Sequence, residues 1–166
     1  TLYSGGGVWQ DAEGKVWNGS AWVEAWSAEP PESQWIALVP TMTSNTTPSG
    51  VASNSGSASG NNYAWVAYDG NASTFDQFNN RQGSSSYQFA NSIKGVCAKI
   101  KEEQGVNVNI YRDNDLVATD TTSRNAWKTI PFNSYDFGQT YRADFTISIN
   151  ERIRLFDMQF YGRADV

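Results

Sequence analysis

The stretch Tyr141-Arg142-Ala143-Asp144-Phe145-Thr146-Ile147-Ser148-Ile149-Asn150 alternates apolar and polar residues without a break. Successive side chains of an extended chain point to opposite faces. Tyr141, Ala143, Phe145, Ile147 and Ile149 therefore share one face, and Arg142, Asp144, Thr146, Ser148 and Asn150 the other. The pattern predicts a half-buried strand over 141–150. Val106, Val108 and Ile110 repeat it, with Asn107 and Asn109 outward. Ile153 and Leu155 keep the odd-numbered register, after which Phe156, Met158 and Phe160 take the even one. A slip of one residue predicts a bulge or a turn at Leu155–Asp157. Further out, Val51-Ala52-Ser53 predicts a short strand within residues 43–62, where sixteen of twenty are Ser, Thr, Asn or Gly. The segment Tyr63-Ala64-Trp65-Val66-Ala67-Tyr68 is apolar enough to demand a core. No stretch carries a helical period. Short strands with turn signals roughly every ten residues predict an all-β fold, an antiparallel β-sandwich.

Composition narrows the chemistry. The chain has 166 residues, 39% apolar, 14% aromatic and 17% charged, with a formal net charge of −5. A chain of this size buries roughly two-thirds of its unfolded surface and needs no staples to hold a core. It has no His, which removes Ser-His-Asp and Cys-His catalysis and every His-ligated metal site. Its lone Cys97 allows no intrachain disulfide and reads as a small strand residue. The acidic balance speaks against a nucleic-acid partner. The longest clean apolar run, Trp35-Ile36-Ala37-Leu38-Val39, is too short to insert in a bilayer. Thr1–Gly7 has neither a charged nor an apolar leader region, so it is not read as a signal peptide.

The first part of the chain differs from the rest. Residues 1–40 hold five carboxylates and one base, and five of the seven Trp fall in the first 35 residues. Val16-Trp17-Asn18-Gly19-Ser20-Ala21-Trp22-Val23 sets Asn-Gly between two aromatic-bearing arms, the chemistry of a hairpin turn. Trp17, Trp22 and Trp26 are placed to stack across such a ribbon. A lone hairpin is marginal in water, so it should pack on a neighbouring domain or subunit. Glu29-Pro30-Pro31-Glu32-Ser33 reads as a stiff linker. The chain is thus divided into a Trp-rich β-ribbon and linker, residues 1–37, and a sandwich, residues 38–166.

The order of three segments carries a resemblance. They are Thr43-Ser44-Asn45-Thr46-Thr47-Pro48-Ser49-Gly50-Val51-Ala52-Ser53, Ala67-Tyr68-Asp69-Gly70-Asn71-Ala72-Ser73-Thr74-Phe75 and Phe156-Asp157-Met158-Gln159-Phe160-Tyr161-Gly162. Over about residues 38–163 this resembles the discoidin, or coagulation-factor type C, domain of the galactose-binding-like superfamily, to which many carbohydrate-binding modules belong. The Ser-Asn-Thr-Thr-Pro opening and the Trp-rich hairpin resemble segments of bacteriophage tail proteins. The resemblance implies a jelly roll with a structural calcium ion. Carried over by position, the ligands are the Val66 carbonyl, the Asp69 carboxylate, the Asn71 carbonyl, Thr74 through hydroxyl and carbonyl, the Phe156 carbonyl and the Asp157 carboxylate. The family usually has Glu where this chain has Asp157. Calcium takes six or more hard oxygens, a demand this set meets. The plainer reading is an Asx turn at Asp69-Gly70-Asn71 with Asp157 solvated.

The resemblance also implies ligand loops at one end of the sandwich, here Asp76–Gln82 and Thr121–Trp127. Each holds Arg, Asn and an aromatic, the groups that stack on a sugar ring and bond its hydroxyls. The candidate ligand residues are Phe78, Asn79, Arg81, Arg124, Asn125 and Trp127, and the expected ligand is an uncharged saccharide. The family's loop His is missing, and Asp76 stands where a Trp is usual, so galactose specificity does not carry over. Phe78 and Trp127 also read as core residues, and Arg81 and Arg124 as surface ion-pair partners.

The expected function is a non-catalytic carbohydrate-binding or adhesion module of a phage tail or receptor-binding protein. It would recognise host cell-surface polysaccharide from the virion tail or an extracellular site. Other tail subunits would be partners, with a homotrimer as one arrangement. Two alternatives stay open: a structural virion assembly domain, and an accessory sugar-binding module of a secreted glycosidase. No pair of acids suggests a glycosidase cleft in the chain itself, so it is not read as an enzyme.

Overall fold

A computed structural model describes residues 35–55, 63–79 and 81–163, together with four short strands before them. Those four are Leu2–Ser4 (β1), Val8–Gln10 (β2), Lys15–Trp17 (β3) and Trp22–Glu24 (β4). The chain forms two compact units, Thr1–Ser33 and Gln34–Val166.

In the first unit β1 to β4 pair in chain order as one antiparallel sheet. Val16 lies opposite Val23 and Trp17 opposite Trp22, the two arms that the sequence sets around Asn18-Gly19. That turn, Trp26 and the Glu29–Ser33 linker lie outside the described residues.

The second unit is a sandwich. Its strands are Trp35–Ala37 (β5), Val51–Ser55 (β6), Asp76–Phe78 (β7), Gln82–Lys94 (β8), Cys97–Glu102 (β9), Asn107–Arg112 (β10), Asp115–Thr121 (β11), Trp127–Pro131 (β12), Phe137–Thr146 (β13) and Ile153–Arg163 (β14). One sheet has the order β11-β10-β13-β8-β6; the other runs β12-β9-β14-β5, with β7 also on β14. All the pairings are antiparallel. Trp35 already pairs with Arg163, so the sandwich begins inside the segment read from sequence as ribbon and linker. The apolar 64–68 segment is a 3₁₀ helix, Ala64–Tyr68, that buries Ala64, Ala67 and Tyr68. No helix among the described residues is long and apolar enough to cross a membrane.

The alternation that predicted the sandwich also builds its core. Tyr141, Ala143, Phe145, Val108, Ile110, Ile153 and Leu155 are all at 0% exposure. Rings from both sheets meet there: Tyr87 on Phe89 (4.8 Å between centroids), Phe89 on Tyr141 (5.9 Å), and Tyr141 on Phe160 (5.4 Å). The Tyr141 hydroxyl does not go unpaired; it donates to the Ile93 carbonyl and accepts from the Gly95 amide. Burying a polar tip with its partners avoids a desolvation cost of about 1–3 kcal/mol.

Two details of β14 and β13 depend on their neighbours. The phase slip is a β-bulge: Leu155 pairs with Glu102 and Asp157 with Lys101, leaving Phe156 as the extra residue. The bulge restores Met158 and Phe160 to the core face, both at 0% exposure. In contrast, β13 stops at Thr146, four residues before the alternation ends. Thr146 pairs with Gln82, the first residue of β8, and with Asn107, the first of β10. Beyond it there is no strand to pair with, so Ile147 is only partly buried and Ile149 is 50% exposed. Residues 147–152 form a loop instead.

Candidate functional site

Four connections emerge at the same end of the sandwich: 79–81 between β7 and β8, 103–106 between β9 and β10, 122–126 between β11 and β12, and 147–152 between β13 and β14. Their bases are tied together. Glu102, fully buried at the end of β9, accepts the amides of Gln104 and Gly105 and the Thr122 hydroxyl (2.7 Å). The Thr122 hydroxyl oxygen accepts the Val106 amide (2.8 Å), and the Glu102 carbonyl accepts the Asn125 amide (3.0 Å). One side chain thus fixes two loops, since each of these donors finds a carboxyl oxygen to bond. On the other side, the Ile147 amide donates to the Arg81 carbonyl (2.9 Å) and Arg81 Nε to Asn150 Oδ1 (3.3 Å). Arg81 takes φ 62°, the left-handed conformation that the tight β7–β8 connection requires.

These loops enclose two adjoining open depressions. The larger, of about 640 Å³, is lined by Asn79, Arg81, Asn150, Glu151 and Arg152. The smaller, of about 270 Å³, is lined by Glu103, Gln104, Arg124, Glu151, Arg152 and Arg154. Glu151 and Arg152 belong to both. Arg154 is held by both Glu103 oxygens (2.9 and 3.1 Å) and by Gln77, and its guanidinium lies 5.1 Å from the Phe75 ring centre.

Of the residues singled out from sequence, Asn79, Arg81 and Arg124 line this surface. Phe78 does not: it is at 0% exposure, stacked on Phe145 at 5.9 Å. Gly83 leaves it that room, since a Cβ there would lie 2.3 Å from the Phe78 ring. Asn125 is exposed at φ 55° and shapes the turn without lining a depression. Trp127 is 50% exposed on the outer face of its sheet, opposite Lys101, so it is neither core nor part of the loop surface. Sequence reasoning missed Asn150, Glu151, Arg152 and Arg154. Asn150 was absorbed into a strand, and only a polar cluster of four residues (150–152 and 154) between apolar runs could have pointed to a loop.

Of the expected calcium ligands, Asp69, Asn71 and Thr74 share one loop, and Asp157 lies within reach of the Asp69 charge. Asp69 follows the 3₁₀ helix, and Gly70 at φ 68° turns the chain back. The Asn71 amide donates to Asp69 Oδ1 (2.8 Å), and the Thr74 hydroxyl donates to Asp69 Oδ2 (2.7 Å). Phe75 meets Phe156 edge-on at 6.2 Å, which seats this loop against the β14 bulge. There Asp157 is pushed up to about 6, first by burial and then by the Asp69 charge. No group of three or more His, Cys, Asp or Glu side chains gathers among the described residues. A cation here would be held by two carboxylates, with hydroxyl and main-chain oxygens completing the shell. That hard-oxygen donor set, with two mutually repelling acids at its centre, fits Ca²⁺.

No family profile and no curated protein matches the chain. Solved structures do. A family 32 carbohydrate-binding module of C. perfringens NanJ, solved with galactose, superposes with a TM-score of 0.59 at 19% identity, over 68% of this chain and 93% of that one. Chitosan-binding module 1 of a Paenibacillus sp. IK-5 chitosanase/glucanase gives 0.56 at 19%, over 72% and 96%. A Ruminococcus gnavus family 29 fucosidase, solved with fucose, gives 0.61 at 14%, over 75% of this chain but 28% of its own. The sandwich therefore shares its fold with these structures, carbohydrate-binding modules among them.

Proposed function

We propose that the sandwich is a non-catalytic module that binds a surface glycan through the loop end containing Asn79, Arg81, Arg124 and the 150–152 segment. One observation carries the reading: residues far apart in sequence place amide and guanidinium groups around a single open surface, two of whose four loops are locked at their bases by Glu102. Fixed amide and guanidinium groups suit hydroxyl recognition. The likeness to carbohydrate-binding modules supports the same conclusion. An open site desolvates few groups, so a single copy should bind at roughly 0.1–1 mM, or about −4 to −5.5 kcal/mol. Useful adhesion then comes from several copies on one particle or one chain. Glycan-array binding of the 166-residue chain tests this directly; an array with no bound saccharide removes the reading.

The setting of the module is proposed as extracellular, on a phage tail or receptor-binding protein, with the Trp-rich sheet of the first unit docking to further tail subunits. The fucosidase match, in which the aligned region is a minor part of a longer enzyme, favours the accessory-module alternative. Copy number of the parent assembly separates the two. We also propose a structural Ca²⁺ held by Asp69, Asp157, Thr74 and the carbonyls of Val66, Asn71 and Phe156, which would fix the loop before β7 to the bulge.

A further inference from the structure

We propose that this loop surface selects saccharides bearing an anionic group, a uronate carboxylate or a sulfate, with Arg152 as the central cation. The inference rests on the glycan-binding reading above and specifies its ligand class. Four of the chain's seven arginines, Arg81, Arg124, Arg152 and Arg154, line the two depressions, against two carboxylates, Glu103 and Glu151. That is an excess of two positive charges in a chain whose net charge is −5.

The pairing state of these groups sharpens the point. Away from the loops, Arg142 holds Asp144 at 2.8 Å and Arg112 lies 3.4 Å from Asp136. At the loop end Arg154 is matched to Glu103 at 2.9 Å. Among the described residues Arg81, Arg124 and Arg152 make no ion pair. Three unmatched guanidinium groups around a concave surface repel one another, and the concavity concentrates their field. A planar anion relieves that repulsion and can accept two parallel N–H bonds from one guanidinium. A neutral sugar offers hydroxyls but leaves the charge excess in place. The sequence suggested an uncharged ligand because Arg152 and Arg154 are some seventy residues from Arg81, and only the folded β13–β14 loop brings them together.

Titration calorimetry of the full chain with four probes tests this: oligogalacturonate, its methyl ester, a sulfated galactan oligosaccharide and its desulfated form. The acid or sulfated form should bind at least roughly tenfold more tightly than its neutral twin, and the gap should shrink as salt rises. Which pair shows the gap identifies the anion. Arg152→Gln should narrow it severalfold at an unchanged melting temperature, while Arg142→Gln, with the same loss of charge on the outer sheet face, should leave it intact. Equal binding of charged and neutral twins overturns the anion preference and leaves glycan binding standing. If none of the four probes binds and the glycan array is also blank, both fall.

Discussion

Asp157, the residue after the bulge in β14, feels the charge of Asp69 in the loop after the 3₁₀ helix, and burial first, with that charge added to it, pushes the Asp157 carboxyl up to about 6. Two facing acids are a cost to the fold unless a cation lies between them. Calcium should therefore raise the melting temperature, with a gain of about 2.7 kcal/mol at a hundredfold excess over its dissociation constant. Asp69→Asn and Asp157→Asn should each remove most of that gain. Superimposable melting curves with calcium and with chelator would show that the pair holds no metal.

Arg81 and Arg124 are exposed and line adjoining depressions, so neither supports the core. Replacing either by Ala should weaken glycan binding roughly tenfold, the loss of one charge-assisted hydrogen bond. The melting temperature should hold within the range of ordinary surface changes, about 0.5 kcal/mol. Undiminished binding of both variants to whole cells would move the site elsewhere.

Phe78 and Trp127 should separate cleanly although both were candidate sugar platforms. Phe78→Ala opens a cavity between β7 and β13 and should cost about 3–5 kcal/mol. Trp127→Ala, on a half-exposed ring, should cost less than about 1.5 kcal/mol and leave loop-end binding unchanged. Denaturant unfolding measures both; a neutral Phe78→Ala would contradict its place in the core.

Asp76 is 5% exposed, with Asn54 Nδ2 donating to it at 2.7 Å. Burial pushes its carboxyl up to about 6, more than the Asn54 and Gln77 hydrogen bonds bring it down. A carboxylate whose pKa is raised by folding opposes folding wherever the unfolded chain is ionised. The cost is present at neutral pH and is relieved as pH falls from about 6 towards the unfolded value of 3.8. Asp76→Asn should thus stabilise the fold by about 1–3 kcal/mol at pH 7 and have little effect near pH 4. A variant with the wild-type pH profile would show that Asp76 titrates normally.

The strands and the bulge were legible because they are local. Period-2 patterning around Tyr141, Val108 and Ile153 names the buried face of each strand whatever lies across the core. The slip at Leu155–Asp157 shows as a change of phase within a few residues. The end of β13 was not legible in the same way. Ser148, Ile149 and Asn150 continue the alternation, and only the starts of β8 at Gln82 and β10 at Asn107 decide that nothing remains to pair with them.

The site divides along the same line. Asn79, Arg81 and Arg124 could be picked out because the family resemblance marks their two loops as ligand loops, and Asp69 with Asp157 because the same resemblance carries calcium ligands onto those positions. Phe78 could not be placed, since an aromatic beside a polar loop turns inward or outward according to what space it finds; here Gly83 provides that space. Sequence alone determined which segments are extended and which of their faces are apolar, because side-chain alternation is a property of the chain. Tertiary structure decided that Arg152 and Arg154 join Arg81 and Arg124, because the charge of a surface is a sum over loops that only the packed sheets bring together.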